Sequence, residues 1–197
     1  MSAITIITDL INKNGGVINT AEIERVGVSR TTISNLCRDG LLIRPAKGQY
    51  TLPYEIPDEL YMWQQRMQLL VFSHETALFL HDIAERTPTL HSVTLPSNKR
   101  LSSTFPGNLK VYMIMPELFE IGLTQLPTKM GNTVRSYDLE RTVCDVLRSR
   151  GRIDDQTVTG AIKNYCLRKD RNLNKLGEYA DIFRMTKILR QYLEVLL

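Results

Sequence analysis

The chain has 197 residues, 43% of them hydrophobic, and a formal net charge of +4, so it can form one large or two small domains with a substantial core. It contains no run of about 18 apolar residues, which excludes a helical membrane span, and its N-terminus lacks the regions of a secretory signal. Its cysteines (Cys37, Cys144 and Cys166) form no CxxC pair, which indicates reduced thiols. We therefore expect a cytoplasmic protein.

Residues 19–52 show the pattern of two short helices joined by a turn and followed by a hairpin. Thr20 is a suitable N-cap for the first helix, and Gly27 can adopt the left-handed conformation that ends it. Ser29 is placed to cap the second helix, which spans residues 30–39. This order predicts a winged helix-turn-helix, and most such modules bind DNA.

The second helix has one apolar face and one polar face. Ile33, Leu36 and Cys37 recur at the spacing that places them on a buried face. The opposite face carries short polar groups and a guanidinium, which suit base edges and phosphates. The predicted DNA-contacting residues of this helix are Arg30, Thr31, Thr32, Ser34, Asn35 and Arg38.

Residues 41–44 and 49–52 can pair as a hairpin across Ala46-Lys47-Gly48, which predicts the wing. Lys47 at its tip is placed for a phosphate contact, and Gln49 is also predicted to contact DNA. A helix-turn-helix that binds only proteins remains a second interpretation of the same pattern.

Two prolines, Pro53 and Pro57, predict a linker over residues 53–57 between a DNA-binding domain (1–52) and a C-terminal domain (58–197). The predicted fold class is α+β: a winged helix-turn-helix followed by a larger mixed α/β domain that ends in several helices.

A helix over residues 3–14 is predicted to cover the N-terminal module. Beyond the linker the patterns predict helices over 59–72, 74–86, 138–150, 154–168 and 175–197, and strands over 92–95, 110–114 and 132–137.

No catalytic or metal-binding motif is recognisable, although the spacing of the residues leaves Ser-His-Asp and Cys-His arrangements open. His74, His81 and His91 have no cysteine or carboxylate partner at zinc-ligand spacing. The chain has no phosphate-binding glycine loop and no GxSxG turn. We therefore predict a protein that is not an enzyme and has neither a cofactor nor a metal site.

The segment YDLERTVCD (residues 137–145) is the most distinctive one outside the N-terminal module. Asp138 is placed to cap a helix, and Arg141 can form an ion pair with Asp145 four residues later. Glu140 is expected to accept a hydrogen bond from a strand backbone or from Arg135. Both a structural and a functional role are open for this segment.

Charge is distributed unevenly along the chain, with net charges of +2 over residues 1–52, −3 over 53–147 and +5 over 148–197. The basic C-terminal region suits an acidic surface, which is either a second stretch of nucleic acid or a partner protein. The residues of this possible basic face are Lys163, Arg168, Lys169, Arg171 and Lys175.

Taken in order, four segments of the chain resemble the AbiEi family of bacterial antitoxins from type IV toxin–antitoxin pairs. These segments are IERVGVSRTTISNLCRDGLLIRPAKGQYTL, SHETALFLHDIAERTP, SVTLP and VRSYDLERTVCDVLRSR, and together they extend over nearly all of the chain. The resemblance implies a role in abortive infection, a bacterial phage defence. It also implies an N-terminal domain that represses its own operon at inverted repeats in the promoter.

The resemblance further implies a C-terminal domain that opposes a nucleotidyltransferase toxin without forming a stable complex with it. The expected partners are thus double-stranded operator DNA and, functionally, that toxin. Two alternatives stay open at this point: an enzyme that modifies and inactivates the toxin, and a protein-interaction module that uses the winged helix as a scaffold.

Overall fold

The computed structural model describes residues 2–102, Phe105 and residues 108–196, with the side chains described up to residue 194. The chain divides into two compact units. Unit 1 contains the residues up to Arg66 together with Thr128–Asn132, and unit 2 contains Met67–Pro127 and the residues from Thr133 onward. The predicted α+β class is confirmed, because helices accompany a small sheet in unit 1 and a larger mixed sheet in unit 2.

Unit 1 consists of short helices and a small antiparallel sheet. Its elements are α1 (Ala3–Lys13), β1 (Ile18–Asn19), α2 (Thr20–Arg25), α3 (Arg30–Arg38), β2 (Ile43–Ala46), β3 (Gln49–Thr51) and α4 (Glu59–Arg66). The strand order of the sheet is β1-β3-β2. This compact unit extends beyond the predicted domain of residues 1–52, and the assignment of separate roles to 1–52 and 58–197 stays a prediction.

Isoleucines form most of the core of unit 1. Ile7 and Ile11 lie one turn apart on α1 and are fully buried, and Ile23 and Ile33 extend the same core from α2 and α3. Burying such a side chain contributes roughly 1.5–3 kcal/mol. The helix-turn-helix is therefore held together mainly by this aliphatic contact.

A hydrogen-bond network around Asp58 joins separate segments of unit 1. Asp58 caps α4 through the backbone N–H of Tyr61, and its other carboxylate oxygen accepts hydrogen bonds from Thr128 (2.5 Å) and Asn132 (3.0 Å). The Asn132 amide also donates to the carbonyl of Gly15 at 3.1 Å. The residues of Thr128–Asn132 thus belong to the hydrogen-bonded framework of the N-terminal module.

We expect Gly15→Ala to destabilise unit 1 more than Gly16→Ala. Both glycines have positive φ (68° and 89°), so each substitution incurs roughly 1–2 kcal/mol of backbone strain. A Cβ at Gly15 would lie 2.0 Å from Oδ1 of Asn132, whereas a Cβ at Gly16 has open space around it. Hydrogen exchange of α1 and β1 measures the difference, and equal protection in the two variants would contradict the steric role of Asn132.

Unit 2 contains the larger sheet and most of the helices. Its elements are β4 (Val71–Phe72), α5 (His74–Leu80), β5 (His91–Pro96), β6 (Leu109–Ile114), α6 (Pro116–Phe119), β7 (Leu123–Pro127), β8 (Thr133–Tyr137), α7 (Leu139–Arg148), α8 (Asp155–Leu167), α9 (Leu173–Ile182) and α10 (Thr186–Leu196). The strand order is β6-β5-β4-β8-β7. The β4–β5 and β7–β8 pairs are antiparallel, and the β5–β6 and β4–β8 pairs are parallel.

The helix predicted over residues 59–72 is wrong beyond Arg66. Val71 and Phe72 form β4, the middle strand of the sheet, and both are fully buried. A short apolar run cannot be assigned to helix or strand from periodicity alone. Pairing with the distant strands β5 and β8 decides the outcome here.

Two other predicted helices are interrupted by residues in the left-handed region. The helix predicted over 74–86 ends at Leu80, and Asp82 follows with a φ of 57°. The helix predicted over 175–197, whose last residue lies outside the described part, is two helices, because Arg184 adopts a φ of 55° between α9 and α10. Strand β7 and the short helix α6 were not predicted.

Helix α7 lies at the centre of the core of unit 2. All of its residues except Arg148 are buried, and it packs against α5, α8, α9 and α10. Val143, Val146 and Leu147 supply its apolar face, as predicted, and they are fully buried. In the part of the chain that the structure describes, no helix has both the length and the apolar character to cross a membrane.

His74 is a fully buried imidazole at the start of α5, with a φ of 48°. Its Nδ1 lies 2.9 Å from Oγ of Ser73, its Nε2 lies 3.0 Å from Oγ of Ser149, and its ring stacks on Tyr112. Burial lowers the pKa of His74 well below its ordinary value of about 6.5. The cations that lower this pKa further are Arg148, Arg141, Lys110 and Arg152.

We expect the free energy of unfolding of unit 2 to fall as the pH drops below about 6.5. His74 takes up a proton there in the unfolded chain but not in the folded one, so protonation favours unfolding by up to about 1.4 kcal/mol per pH unit. His74→Asn, which removes the titrating group and tolerates positive φ, should flatten that slope. Parallel pH profiles for the two proteins, measured by denaturant unfolding, would contradict the assignment.

Candidate nucleic-acid interface

The helix-turn-helix begins with a capping box at α2. The Asn19 side chain accepts a hydrogen bond from the backbone N–H of Glu22 at 3.0 Å, and the Glu22 carboxylate accepts one from the Asn19 N–H at 2.8 Å. Such reciprocal pairs satisfy N–H groups that the helix leaves unpaired. The prediction that Thr20 is the N-cap is therefore wrong by one residue, and the Thr20 hydroxyl donates instead to the carbonyl of Gly48.

The turn and the second helix follow the predicted signals. Gly27 has a φ of 82°, and Ser29 caps α3 by accepting from the backbone N–H of Thr32 at 3.2 Å. The Thr32 hydroxyl also lies 3.0 Å from Oγ of Ser29, so this side chain belongs to the cap. At 100° per residue, Thr32 lies about 60° from Asn35 and about 100° or more from the other predicted DNA-contacting residues of α3.

Strands β2 and β3 form the wing. They pair antiparallel with an irregularity between Ile43 and Ala46, and Gly48 turns the chain with a φ of 79°. Lys47 is exposed at the tip, as the hairpin pattern predicts. Because Thr20 bonds to Gly48, the tip of the wing is tied to the start of α2.

Helix α3 presents two adjacent polar flanks. Thr31, Asn35 and Arg38 lie within about 60° of one another around the helix, and Thr31 and Arg38 are exposed while Asn35 is half-buried. Arg30 and Ser34 occupy the neighbouring flank and face the wing. The helix therefore offers one outward surface and one surface turned toward β2 and β3.

A cavity of about 440 Å³ separates that second flank from the wing. The charged side chains around it are all cationic, and the remaining polar groups include the hydroxyls of Thr20, Ser34 and Tyr50. Positive lining of this kind attracts a phosphate backbone. The residues that line the cavity are Thr20, Arg30, Ser34, Cys37, Arg44, Lys47, Gly48 and Tyr50.

Arg44 is a member of this surface that the sequence reasoning missed. It is exposed on β2, and its guanidinium lies 6.0 Å from the ring centroid of Tyr50, which is a cation–π distance. Alternation along the hairpin would not have identified it, because Leu42, two positions earlier, is buried while residues 43–45 are all exposed.

The prediction that Gln49 contacts DNA is wrong for this structure. Its side chain is only 4% exposed, and its amide donates to the carbonyl of Met62 at 2.8 Å. The position at the start of β3 is solvent-facing in a free hairpin, but α4 covers it here. Gln49 therefore has a role in the packing of unit 1.

Two of the predicted arginines have acidic neighbours. Nε of Arg30 lies 2.6 Å from Oε1 of Glu24, which raises the pKa of Arg30 and lowers that of Glu24. Nε of Arg38 lies 3.7 Å from Oδ1 of Asp39, a longer and single contact. Lys47 and Arg44 form no ion pair with any residue that the structure describes, so their charges are available to a ligand.

The predicted basic C-terminal face lies in unit 2 and is partly engaged in internal contacts. Arg168 forms a forked pair with Asp170 at 2.7 Å, and Lys175 lies 2.9 Å from Asp138. Arg171 donates to the carbonyl of Arg168. Lys163 and Lys169 are exposed, and a binding role for this face stays a prediction.

The segment 137–145 has structural partners throughout. Asp138 caps α7 through the N–H of Arg141 at 2.9 Å, and Arg141 forms the predicted pair with Asp145 at 3.0 Å. The expected partner of Glu140 is wrong, because its carboxylate accepts from the hydroxyl of Tyr165 and from the N–H of Asn172. Among the described residues, no group of three or more potential ligands is arranged to hold a metal ion.

Comparison with known proteins supports the N-terminal assignment. Residues 6–53 match the family model described as a transcriptional regulator, AbiEi antitoxin. A search of the curated proteins finds no match. The crystal structure of the RV2827C protein from Mycobacterium tuberculosis is similar in fold, with 17% sequence identity, a TM-score of 0.64 and coverage of 89% of this chain and 70% of that one. Over residues 6–53 the chain is thus similar to the AbiEi antitoxin transcriptional regulators, which confirms the resemblance for that part of the sequence.

Proposed function

We propose that the protein represses its own toxin–antitoxin operon by binding inverted repeats in the promoter. The match of residues 6–53 to a family of transcriptional regulators supports a DNA-binding role. The observation that carries the proposal is the cationic cavity between α3 and the wing, which lies beside an outward polar face of the same helix. This combination provides both contacts that an operator complex needs, to the phosphates and to the bases.

The two surfaces have different tasks in this proposal. Arg44 and Lys47, which line the cavity from the wing, contact phosphates, because neither has a paired carboxylate among the residues that the structure describes. Thr31, Asn35 and Arg38 on the outward face of α3 contact base edges in the major groove. Phosphate contacts contribute affinity for any DNA, and base contacts contribute preference for the operator.

Removing the wing cations should weaken binding to all DNA equally. In the double variant Arg44→Ala with Lys47→Ala, two lost phosphate contacts lower the slope of log affinity against log salt by about 1.8. Thr31→Ala with Asn35→Ala should instead reduce affinity for the operator alone, by about 1–3 kcal/mol for each lost base contact. Fluorescence anisotropy titrations on upstream DNA and on unrelated DNA, at several salt concentrations, separate the two effects.

Lys187→Ala with Arg190→Ala provides the matched control, because it likewise removes two positive charges, from exposed positions on α10. It should leave affinity and salt slope unchanged. Absence of any preference of the intact protein for its upstream DNA would refute the proposal. Equal effects of the wing pair and the helix pair on unrelated DNA would refute the division of tasks.

The proposal includes a second activity, in which the protein opposes a nucleotidyltransferase toxin through unit 2 and without acting as an enzyme. The division into two compact units supports a separation of this activity from DNA binding. In this scheme the exposed cations Lys163 and Lys169 are available to compete for an acidic surface such as RNA.

A variant that cannot bind the operator should therefore still protect cells from the toxin. We expect Thr31→Ala combined with Asn35→Ala, Arg44→Ala and Lys47→Ala to restore growth as the native protein does when the toxin is expressed from a separate promoter. Growth measured with equal amounts of the two proteins provides the comparison. Loss of protection in a folded variant would connect the antitoxin activity to DNA binding.

A further inference from the structure

Glu24 and Arg30 form a side-on ion pair at the entrance to α3. Nε of Arg30 donates to Oε1 of Glu24 at 2.6 Å, and Nη2 lies 3.4 Å from Oε2. The Arg30 side chain is nevertheless 78% exposed. The carboxylate therefore occupies one edge of the guanidinium and leaves the N–H groups at its far end directed toward solvent.

This pairing distinguishes Arg30 from the other cations around the cavity. Arg44 and Lys47 have no carboxylate beside them among the described residues, so each brings a full positive charge to a phosphate. A carboxylate next to Arg30 offsets part of its charge and repels a phosphate that approaches. A base edge carries no net charge, so it experiences no such repulsion. The electrostatics of the pair thus favour a base over the backbone.

The geometry of the Glu24–Arg30 pair also favours a contact with a base. In helix-turn-helix complexes, residues at the N-terminus of the second helix contact base edges, and Arg30 is the first residue of α3. Guanine presents two adjacent acceptors, O6 and N7, which match a planar pair of N–H donors. An arginine whose plane is already fixed loses less side-chain entropy when it forms these bonds.

We propose that Glu24 and Arg30 together recognise one guanine in the operator. Arg30 donates two hydrogen bonds to O6 and N7 of that base. Glu24 is a positioning residue, which holds the guanidinium plane without touching the DNA. The inference depends on the proposed operator binding and adds the base that one side chain recognises.

Substitution of Arg30 tests the ligand. A phosphate contact would survive Arg30→Lys, because lysine keeps the charge, whereas a contact to guanine that uses the planar pair of guanidinium donors would be weakened. We expect Arg30→Lys to lower the preference for operator over unrelated DNA by about tenfold. Operators with single 7-deazaguanine replacements, which lack the N7 acceptor, should contain one position at which binding of the native protein is weakened more than binding of Arg30→Lys.

Substitution of Glu24 tests the positioning role. Glu24→Ala removes a negative charge, so affinity for unrelated DNA should rise slightly while the preference for the operator falls about fivefold. In the Arg30→Ala background, Glu24→Ala should no longer change that preference. Asp9→Ala, which removes the same charge from an exposed position on α1, is the matched control and should leave the preference unchanged.

The outcomes separate the two proposals. A native protein without preference for its operator overturns the proposed function and this inference together. A native protein that prefers its operator, with the same preference in Glu24→Ala, overturns the positioning role alone. If Arg30→Lys binds both DNAs as the native protein does, Arg30 contacts a phosphate. Equal losses on both DNAs in Glu24→Ala, with a lower melting temperature, would assign the pair a merely structural role.

Discussion

The buried Arg141–Asp145 ion pair is the interaction on which the architecture of unit 2 depends. Both side chains are fully buried. The Arg141 guanidinium lies 4.2 Å from each of two ring centroids, that of Tyr137 at the end of β8 and that of Phe183 at the end of α9. Arg148 supplies a second partner to the same carboxylate at 2.9 Å. Removing one member of a buried pair typically costs about 3–5 kcal/mol, because the other charge stays desolvated. Arg141 also donates to the backbone carbonyls of Leu118 and Ile121, so a single side chain joins β8, α7, the segment before β7 and the end of α9.

This arrangement shows that the side chains of the most distinctive segment of the sequence are engaged in structural contacts. The spacing of Arg141 and Asp145 was sufficient to predict an ion pair, and the N-cap at Asp138 follows from its position before an apolar helix. The burial of that pair could not be predicted, because it arises from β7 and from the break at Arg184, which are determined by long-range packing. The same reason explains the error at β4: Val71 and its neighbour are apolar enough for a helix or a strand, and only residues more than twenty positions away decide between them.

Prediction was more accurate in the N-terminal module, because most of its signals are local. Glycines with positive φ, a serine cap and a basic turn each act over a few residues, and they placed α2, α3 and the wing within one or two positions. The errors there are again non-local. The hairpin pattern places Gln49 on the DNA surface because it carries no sign of the contact with α4, and no local pattern indicates Glu24, whose partner lies six residues away across a turn. Electrostatic pairing therefore refines the candidate interface in a way that helical periodicity cannot, since it separates an arginine beside a carboxylate from Arg44 and Lys47, which have no carboxylate partner among the described residues.

The segments that make up unit 1 also determine how the DNA-binding and antitoxin activities of the protein can be separated by experiment. The hydrogen bonds from Asn132 to Gly15 and to Asp58 place residues 128–132 inside the framework of the N-terminal module. A fragment that ends at residue 52 or 66 lacks those donors, and it leaves the turn after α1 without its partner. A fragment that begins at residue 58 retains Asp58 but loses the residues around which α4 packs, including Gln49.

Loss of function in either fragment would therefore report damaged folding as readily as a missing activity. Exposed side chains on α3 and the wing can be changed without disturbing that framework, so point variants of the intact chain distinguish DNA binding from antitoxin activity where truncation does not.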